Sequence, residues 1–389
     1  MIQPRAALRP VALCTALSFA VAAAPAPVSA QTAQAAACLG LFNGHPEQGL
    51  APPRALVPGL LVTYRGEVDD NPAYDQHWIT STADGVAVEV DATYTTSAAT
   101  GAVNATDRYL TDSVASGDIW ASPEGLAACP ADFDSQTPAG EVQVLRTRTA
   151  LGGAEVPAVQ VTETLAAGKV VVVFDLATGL AVSYTALEYS TAENGVGQFT
   201  LESVSRLPAP FDKDPPLPAF VRRGATLHYA LTQSTQTSSN ASLGLAPTVQ
   251  HGSASVQVTA AGSHEAEIVF NSDLVAFGAP HSLASNQHGA LGGAYGVFWM
   301  PPSTIRALGT LRVIHRDAPM RELIVAGHGP DDTALFGIRV GAYRLEAAYS
   351  ARTGVLLEEQ ENSGSAPAMP ALDVPSTQIV VALTLQSAR

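Results

Sequence analysis

The residues of this sequence that could do chemistry are spread along the chain and do not complete a catalytic motif. There is no Gly-x-Ser-x-Gly turn of the kind that presents the nucleophilic serine of many hydrolases. His264-Glu265 begins like a zinc-binding helix, but no second histidine follows at the required spacing. Segment 289–296 is rich in glycine, yet it lacks the lysine and the strand-to-helix frame of a phosphate loop. We therefore predict no catalytic residue and favour a protein that is not an enzyme.

Histidines beside the glycine-rich segment are the candidates for a metal site. His281 and His288 lie next to this segment, and Asp331-Asp332 follow further along the chain. Imidazole and carboxylate groups are ligands for zinc and calcium, but neither a helix nor a strand would align residues at these spacings. We therefore predict no metal and no cofactor, with His281 and His288 as the remaining candidates.

Four aromatic residues occupy matched positions in the two halves of the chain. Tyr64 and Tyr229 each close a short apolar run, and Trp120 and Trp299 each precede a segment that begins with proline. In one interpretation, each tryptophan is a core residue that packs a short helix on a sheet. In the other, the aromatic residues line an apolar pocket, because ligand sites are concave, mostly apolar and rich in aromatic side chains. We predict all four as ligand-binding residues.

The first 30 residues have the pattern of a secretory signal peptide. Arg5 and Arg9 provide positive charge, an uncharged apolar run follows, and residues 28–30 (Val-Ser-Ala) form a small-x-small cleavage site. The apolar run is too short for a membrane-spanning helix, which needs about 20 residues. We therefore expect cleavage after Ala30 and export to the periplasm or the extracellular space.

Export also determines how the cysteines are interpreted. Cys14 lies in the signal peptide, so Cys38 and Cys129 remain as an even pair in an oxidising compartment. The sequence therefore predicts a disulfide bond between Cys38 and Cys129.

The charge balance excludes one class of partner. The sequence has 35 acidic and 20 basic residues and a net charge of −15, and loss of the two signal-peptide arginines makes the balance 18 − 35 = −17. Nucleic acids are bound by basic surfaces, so we exclude them. No later stretch is apolar for long enough to cross a membrane, and we predict no transmembrane segment in the mature chain. The sequence leaves the oligomeric state open.

Strands must position these residues, because most of the sequence has the pattern of antiparallel sheet, with short apolar or alternating runs between turn residues. Residues 159–164 alternate with a period of two, and residues 169–174 form a continuous apolar run. Glycine, asparagine, aspartate and proline interrupt such runs at the intervals expected of hairpins. Outside the signal peptide, no long stretch shows the 3.6-residue apolar stripe of a helix.

Four sequence anchors recur in the same order in the two halves and predict a tandem repeat. They are the pairs 59–64 and 224–229, 119–123 and 298–302, 174–179 and 349–354, and 200–203 and 384–387. Between the halves, segment 208–218 has five prolines, which predicts a semi-rigid spacer. We therefore predict a signal peptide at 1–30, a first β-rich module at 31–207, a proline-rich linker at 208–219 and a second module at 220–389.

The predicted fold is mainly β, of the α+β type, with two tandem modules. Each module is a curved antiparallel sheet or half-barrel with one or two short helices. Ser122 and Pro123 provide the N-cap and the first-turn proline of one short helix, and Pro302 begins its counterpart. Gly179 and Gly354, each after a threonine, predict a tight turn between two long strands.

The hairpin end of each module, at 174–179 and 349–354, resembles one known family. It is similar to the half-barrel lipoprotein and lipid carriers of bacterial envelopes, where a polar loop and a last strand follow the same kind of turn. The resemblance is confined to this hairpin. It implies a curved sheet whose concave face holds an acyl chain, and it assigns no functional residue.

Three functions therefore compete. The first is an exported envelope protein that binds an apolar ligand, such as a lipid or an acyl chain. The second is a structural or adhesive pair of modules that binds a protein or a glycan. The third is a secreted hydrolase without a local motif, because catalytic residues meet in space rather than in sequence. The second half has seven of the nine histidines and the glycine-rich segment, so we expect a specialised site there, near Trp299.

Overall fold

The computed structural model describes residues 37–42, 49–96, 103–137, 140–166, 168–188, 195–237, 241, 243–274, 287–318, 320, 322–363 and 377–388. Within these ranges the chain is mainly β, with two ten-stranded antiparallel sheets and a few short helices. Among the strands in these ranges, the end strands of neither sheet pair with each other. The predicted fold class is therefore confirmed. The predicted signal peptide at 1–30 lies outside the described residues.

The first sheet contains the strands that precede the proline-rich segment. They are β1 (Leu60–Val68), β2 (Asn71–Ser81), β3 (Val86–Thr96), β4 (Val103–Ser113), β5 (Asp132–Thr137), β6 (Gly140–Leu151), β7 (Ala154–Leu165), β8 (Gly168–Asp175), β9 (Ala181–Glu188) and β10 (Gly195–Arg206). Their order in the sheet is β4-β3-β2-β1-β10-β9-β8-β7-β6-β5. The first and last strands of this half are therefore neighbours in the middle of the sheet.

The second sheet repeats this arrangement. Its strands are β11 (Thr226–Thr237), β12 (Thr248–Ala261), β13 (Glu265–Ser272), β14 (Gln287–Gly292), β15 (Arg312–Asp317), β16 (Glu322–His328), β17 (Thr333–Val340), β18 (Tyr343–Ser350), β19 (Leu356–Ser363) and β20 (Thr377–Ala388). Their order is β14-β13-β12-β11-β20-β19-β18-β17-β16-β15, which is the order of the first sheet with each number raised by ten. The domain boundaries at 31–207, 208–219 and 220–389 stay predictions.

The short helices follow the predicted capping signals. They are α1 (Pro123–Ala128), α2 (Pro302–Ala307) and a 3-10 turn (Ala83–Gly85). Ser122 Oγ accepts a hydrogen bond from Gly125 N at 3.3 Å, which caps α1. Residues 37–42 are also helical, and the disulfide bond between Cys38 and Cys129 joins them to the end of α1, as predicted. Among the described helices, none has the length and hydropathy needed to span a bilayer.

The strand registers of the two sheets match even in their irregularities. A register shift lies directly before Tyr64 in the pairing of β1 with β10, and directly before Tyr229 in the pairing of β11 with β20. A second shift follows Ile79 in β2 and Val258 in β12. Because bulges fix the register of neighbouring strands, paired residues of β1–β3 and β8–β10 can be matched with residues of β11–β13 and β18–β20. We call the face that carries Tyr64 or Tyr229 the inner face of its sheet, and the opposite face the outer face.

The outer face of β2–β4 packs on the inner face of the second sheet. Trp78 stacks on Phe336 and Tyr295, with ring centroids 5.9 and 4.9 Å apart, and the ring of Tyr94 lies 5.8 Å from that of Tyr343. One apolar core therefore contains residues from both sheets. A separate core on the inner face of the first sheet lies under α1 and includes Leu41, Trp120, Leu126 and Phe174.

Polar contacts accompany this packing. Gln76 Nε2 donates to Glu322 Oε2 at 2.8 Å, and Thr63 Oγ1 donates to Asp317 Oδ2 at 3.2 Å. Ser81 Oγ, at the end of β2, donates to Asp214 Oδ1 in the proline-rich segment at 2.8 Å. Hydrogen bonds therefore join the first sheet both to the second sheet and to the segment between them.

Candidate functional site

Trp120 and Trp299 are fully buried beside the two threonine–glycine turns. Trp120 forms a β-bridge with Leu180, and Trp299 forms one with Val355, which are the residues directly after Gly179 and Gly354. Both tryptophans are 0% exposed. Each one packs a turn and a short helix against its sheet, as the core interpretation proposes. A role for either in ligand binding stays a prediction.

Tyr64 and Tyr229 make equivalent contacts with the backbone. The Tyr64 hydroxyl donates to Ala181 O at 3.0 Å, and the Tyr229 hydroxyl donates to Leu356 O at 3.5 Å. Tyr64 differs from Tyr229 in its neighbours, because its ring also lies 5.5 Å from that of His77. Their ligand-binding role likewise stays a prediction, but Tyr64 borders a group of charged residues.

The glycine-rich segment near Trp299 forms a contact between the sheets. Gly293 has φ +66°, and a Cβ placed on it would lie 1.7 Å from Thr80 O in the first sheet. His281 lies outside the described residues, and of His288 only the backbone in β14 is described. The segment that we expected to border a specialised site therefore permits close approach of the two sheets.

A group of ionisable side chains lies buried on the inner face of β2–β4. Asp75 and His77 come from β2, Glu89 and Asp91 come from β3, and Arg108 comes from β4. The register pairs His77 with Asp91 and Asp91 with Arg108. The four residues from β2 and β3 are at most 3% exposed. We call these five residues the buried ionic cluster.

Hydrogen bonds orient each member of this cluster. His77 Nδ1 is bonded to Glu89 Oε1, and Arg108 Nη2 donates to Asp91 Oδ2. Asp75 accepts hydrogen bonds from Thr93 Oγ1 at 2.7 Å and from the Tyr184 hydroxyl. Three atoms have no hydrogen-bond partner: His77 Nε2, Glu89 Oε2 and Asp91 Oδ1. His77 Nε2 lies 3.4 Å from Asp75 Oδ2.

Acidic groups outnumber basic groups in the buried ionic cluster by three to two. Burial raises the pKa of Asp91 well above its ordinary value. For Asp75, burial acts in the same direction, but His77 and Arg108 outweigh it and hold the pKa below its usual range. Burial alone would lower the pKa of His77, but the nearby Asp91 and Glu89 carboxylates raise it well above the ordinary value. The cluster therefore favours gain of positive charge.

Further acidic residues surround the cluster. Burial, together with Asp118, raises the pKa of Asp112 to about 8, and burial with Glu89 raises that of Asp118 to about 6. Burial also raises the pKa of Glu163, on β7, to about 7. The inner face of the first sheet is thus an acidic environment around the cluster.

The second sheet shows that the fold does not require these charges. The counterparts of Asp75, His77, Glu89 and Asp91 are Ala254, Val256, Ile268 and Phe270, and all four counterparts are buried. Burial of a charge carries a large desolvation penalty. Apolar residues fill the same positions in the same sheet topology, so the buried ionic cluster is a candidate functional site.

An apolar strip lies beside the cluster on the inner face of β8 and β9. Val170, Val172 and Tyr184 are half-buried there, and Tyr184 connects the strip to the cluster through its bond to Asp75. Their counterparts in the second sheet are Leu345, Ala347 and Glu359, at 1%, 3% and 3% exposure. The first sheet therefore leaves apolar surface partly accessible where the second sheet covers it.

None of the five cluster residues is among the site residues predicted from the sequence. The available signal was the pair of charged i, i+2 patterns, Asp75-x-His77 and Glu89-x-Asp91, inside two neighbouring strands. Such spacing places both side chains on one face of a strand. Strand pairing then places one pattern beside the other.

Comparisons with known proteins add weak structural similarity. No protein-family model matches the chain, and no curated protein matches it. A crystal structure of MucB in complex with MucA(peri) is 10% identical with a TM-score of 0.24, over 91% of this chain and 94% of that chain. The complex structure of Pseudomonas aeruginosa MucA/MucB is 11% identical with a TM-score of 0.23, over the same shares. These values carry no argument about function, which therefore rests on the geometry of the site.

Proposed function

We propose that this chain is an exported, non-enzymatic binding protein that holds an apolar ligand, such as a lipid or an acyl chain, on the inner face of its first sheet. The half-exposed strip of Val170, Val172 and Tyr184 carries this proposal. Partly exposed apolar surface beside a few polar groups is typical of ligand sites. The signal-peptide pattern at 1–30 supports export.

The packing of the sheets explains why the first sheet is the better candidate. Side chains of the first sheet, among them Trp78 and Tyr94, already cover the inner face of the second. As a result, the residues of the second sheet that correspond to the strip, Leu345, Ala347 and Glu359, are buried. A ligand on the second sheet would have to displace this core, whereas a ligand on the first would cover surface that is already accessible.

The cluster beside the strip sets an expectation for the polar end of the ligand. The cluster has three carboxyl groups against one guanidinium and one imidazole. Asp112, Asp118 and Glu163, whose pKa values burial raises, are further carboxyl groups that can release protons and pair with a cationic head. Like charges repel in a poorly solvated site. The ligand that we propose therefore has a neutral or cationic head and an apolar chain, and an anionic head would bind less well.

Binding of the neutral fluorescent probe N-phenyl-1-naphthylamine tests this proposal. Val172 lies on the inner face opposite Tyr184, and Val173 is its neighbour on the outer face. We expect Val172→Glu to weaken probe binding at least tenfold, about 1.4 kcal/mol, and Val173→Glu to leave it unchanged. A long-chain alkylamine should displace the probe better than a fatty acid of equal length.

Two results would contradict the proposal. If the folded wild-type protein does not bind the probe, a structural or adhesive role becomes the better explanation. If Val172→Glu and Val173→Glu weaken binding equally, the probe binds elsewhere. Circular dichroism of both variants checks that each one is folded.

A further inference from the structure

We propose that Asp75, His77 and Asp91 bind a divalent transition-metal cation of the zinc type in the buried ionic cluster. One imidazole and two carboxylates suit such an ion, whereas calcium and magnesium prefer all-oxygen sites. The proposal does not depend on the apolar ligand, because it rests on different residues.

The three ligand atoms lie near one another, and one pair has the separation expected around a single ion. Each of the three residues offers one atom, and these atoms lie within 4.8 Å of one another. His77 Nε2 and Asp75 Oδ2 are 3.4 Å apart. Two ligands of a tetrahedral ion, each bonded at about 2.1 Å, are separated by about this distance.

The hydrogen bonds leave a free atom on two of the three ligands, His77 Nε2 and Asp91 Oδ1, whereas Asp75 Oδ2 also accepts from the Tyr184 hydroxyl. Glu89 holds His77 Nδ1, so that Nε2 points away from this bond and has no partner. A carboxylate on the second ring nitrogen is the arrangement that orients many metal-binding histidines. Arg108 donates a hydrogen bond to Asp91 Oδ2, and Asp91 Oδ1 has no partner.

Charge balance supports the same ion. With His77 neutral, Asp75, Glu89 and Asp91 carry three negative charges against one on Arg108. A divalent cation would bring the sum to zero. An uncompensated charge in such a buried position is strongly destabilising. The alternative is a network of ion pairs in which protons alone provide the compensation, and the experiment below separates the two.

The second sheet provides an internal comparison. The three proposed ligands correspond to Ala254, Val256 and Phe270, so all three ligand positions are apolar there. The site has a route to solvent, because the Arg108 side chain is 21% exposed and Tyr184 is half-buried.

Titration with Co²⁺ tests the proposal on the mature full-length chain. After treatment with a chelator and its removal, we expect one equivalent of Co²⁺ to give the visible absorption bands of a low-symmetry site. His77→Gln should abolish these bands. Glu89→Gln should weaken binding by roughly 10–100-fold, because it acts on the orientation of His77. The matched control is His264→Gln, since His264 Nδ1 lies 3.5 Å from Asp214 in the only other described histidine–aspartate ion pair, and binding should be unchanged.

The wild-type titration tests the proposal even if a variant does not fold. If the wild-type protein takes up no Co²⁺ by absorption and by elemental analysis, the cluster is an ion-pair network and the proposal is wrong. It is also wrong if folded His77→Gln binds as tightly as the wild type. The titration contains no apolar probe, so its failure would leave the binding test of Val172 unaffected.

Discussion

Glu322 offers the sharpest test of how the two sheets pack, because it is a carboxyl group buried at their contact. It is 0% exposed, and it accepts a hydrogen bond from Gln76 Nε2 of the first sheet at 2.8 Å. Burial raises its pKa from 4.5 to about 8. The perturbation is Glu322→Gln, which keeps an acceptor for Gln76 and removes the ionisable proton.

The sign of the effect follows from proton binding. Between pH 4.5 and about 8 the folded protein holds a proton on Glu322 that the unfolded chain releases. The stability due to this group is therefore complete below the unfolded pKa and is lost as the pH rises through the folded pKa. His315 Nε2 lies 3.6 Å from Glu322 Oε2, but burial lowers the pKa of His315, so this histidine does not offset the charge. Asp317, the other charged neighbour, raises the pKa of Glu322 further.

The two pKa values give the magnitude. The difference between about 8 and 4.5, at about 1.4 kcal/mol per unit, gives a ceiling of about 5 kcal/mol. Local relaxation and water penetration reduce such penalties, so we expect roughly 2–4 kcal/mol. Relative to the wild type, Glu322→Gln should gain this amount of unfolding free energy between pH 5 and pH 9.

Urea denaturation of both proteins at pH 5, 7 and 9 measures this difference directly. Asp112, Asp118 and Glu163 titrate in the same range, but they are present in both proteins and cancel in the comparison. Glu346→Gln is the control, because Glu346 has a side chain that is 61% exposed and pairs with Arg339 on the surface. Its difference from the wild type should stay within about 0.5 kcal/mol. A difference for Glu322→Gln that does not change with pH would refute the buried position of this carboxyl.

Three further predictions concern stability. Trp78→Ala should lower the unfolding free energy by about 3–5 kcal/mol in urea, because the indole fills the contact between the sheets. Replacement of Cys38 and Cys129 by serine should lower it by about 3–5 kcal/mol, and a reducing agent should destabilise the wild type but not this variant. Gly293→Ala should destabilise more than Gly152→Ala in thermal melts. Both glycines have positive φ, but only at Gly293 does the added methyl group meet the neighbouring sheet.

Local patterns explain which parts of the fold could be predicted. The alternation of 159–164, the cap at Ser122 and the glycine at the turn after Thr178 each act within a few residues, and each forms as expected. The disulfide followed from compartment and parity alone. Matched anchors predicted two similar sheets because the same local signals recur in the same order.

Long-range register explains what could not be predicted. The five members of the buried ionic cluster come from three strands, and only the strand pairing places them together. Trp78 had no counterpart among the sequence anchors, and its position on the outer face explains this. It fills the inner face of the second sheet, whereas its counterpart, Gln257, is exposed. Trp78, which has no counterpart among the anchors, therefore lies at the contact between the sheets.

The way the two sheets join has a consequence for assembly. An outer face docks on an inner face, so the joint is heterologous, and repetition of the same joint would add a third and a fourth unit without end. Both ends of this pair are unsuited to growth. At one end, the inner face of the first sheet holds the buried ionic cluster where the second sheet has apolar residues, so an apolar neighbour would meet a less favourable surface there. At the other end, the outer face of the second sheet has the exposed Gln257 at the position of Trp78, so no indole is present there to fill a further inner face. The pair therefore resembles a repeat array with polar caps at both termini, limited by its own divergence to two members.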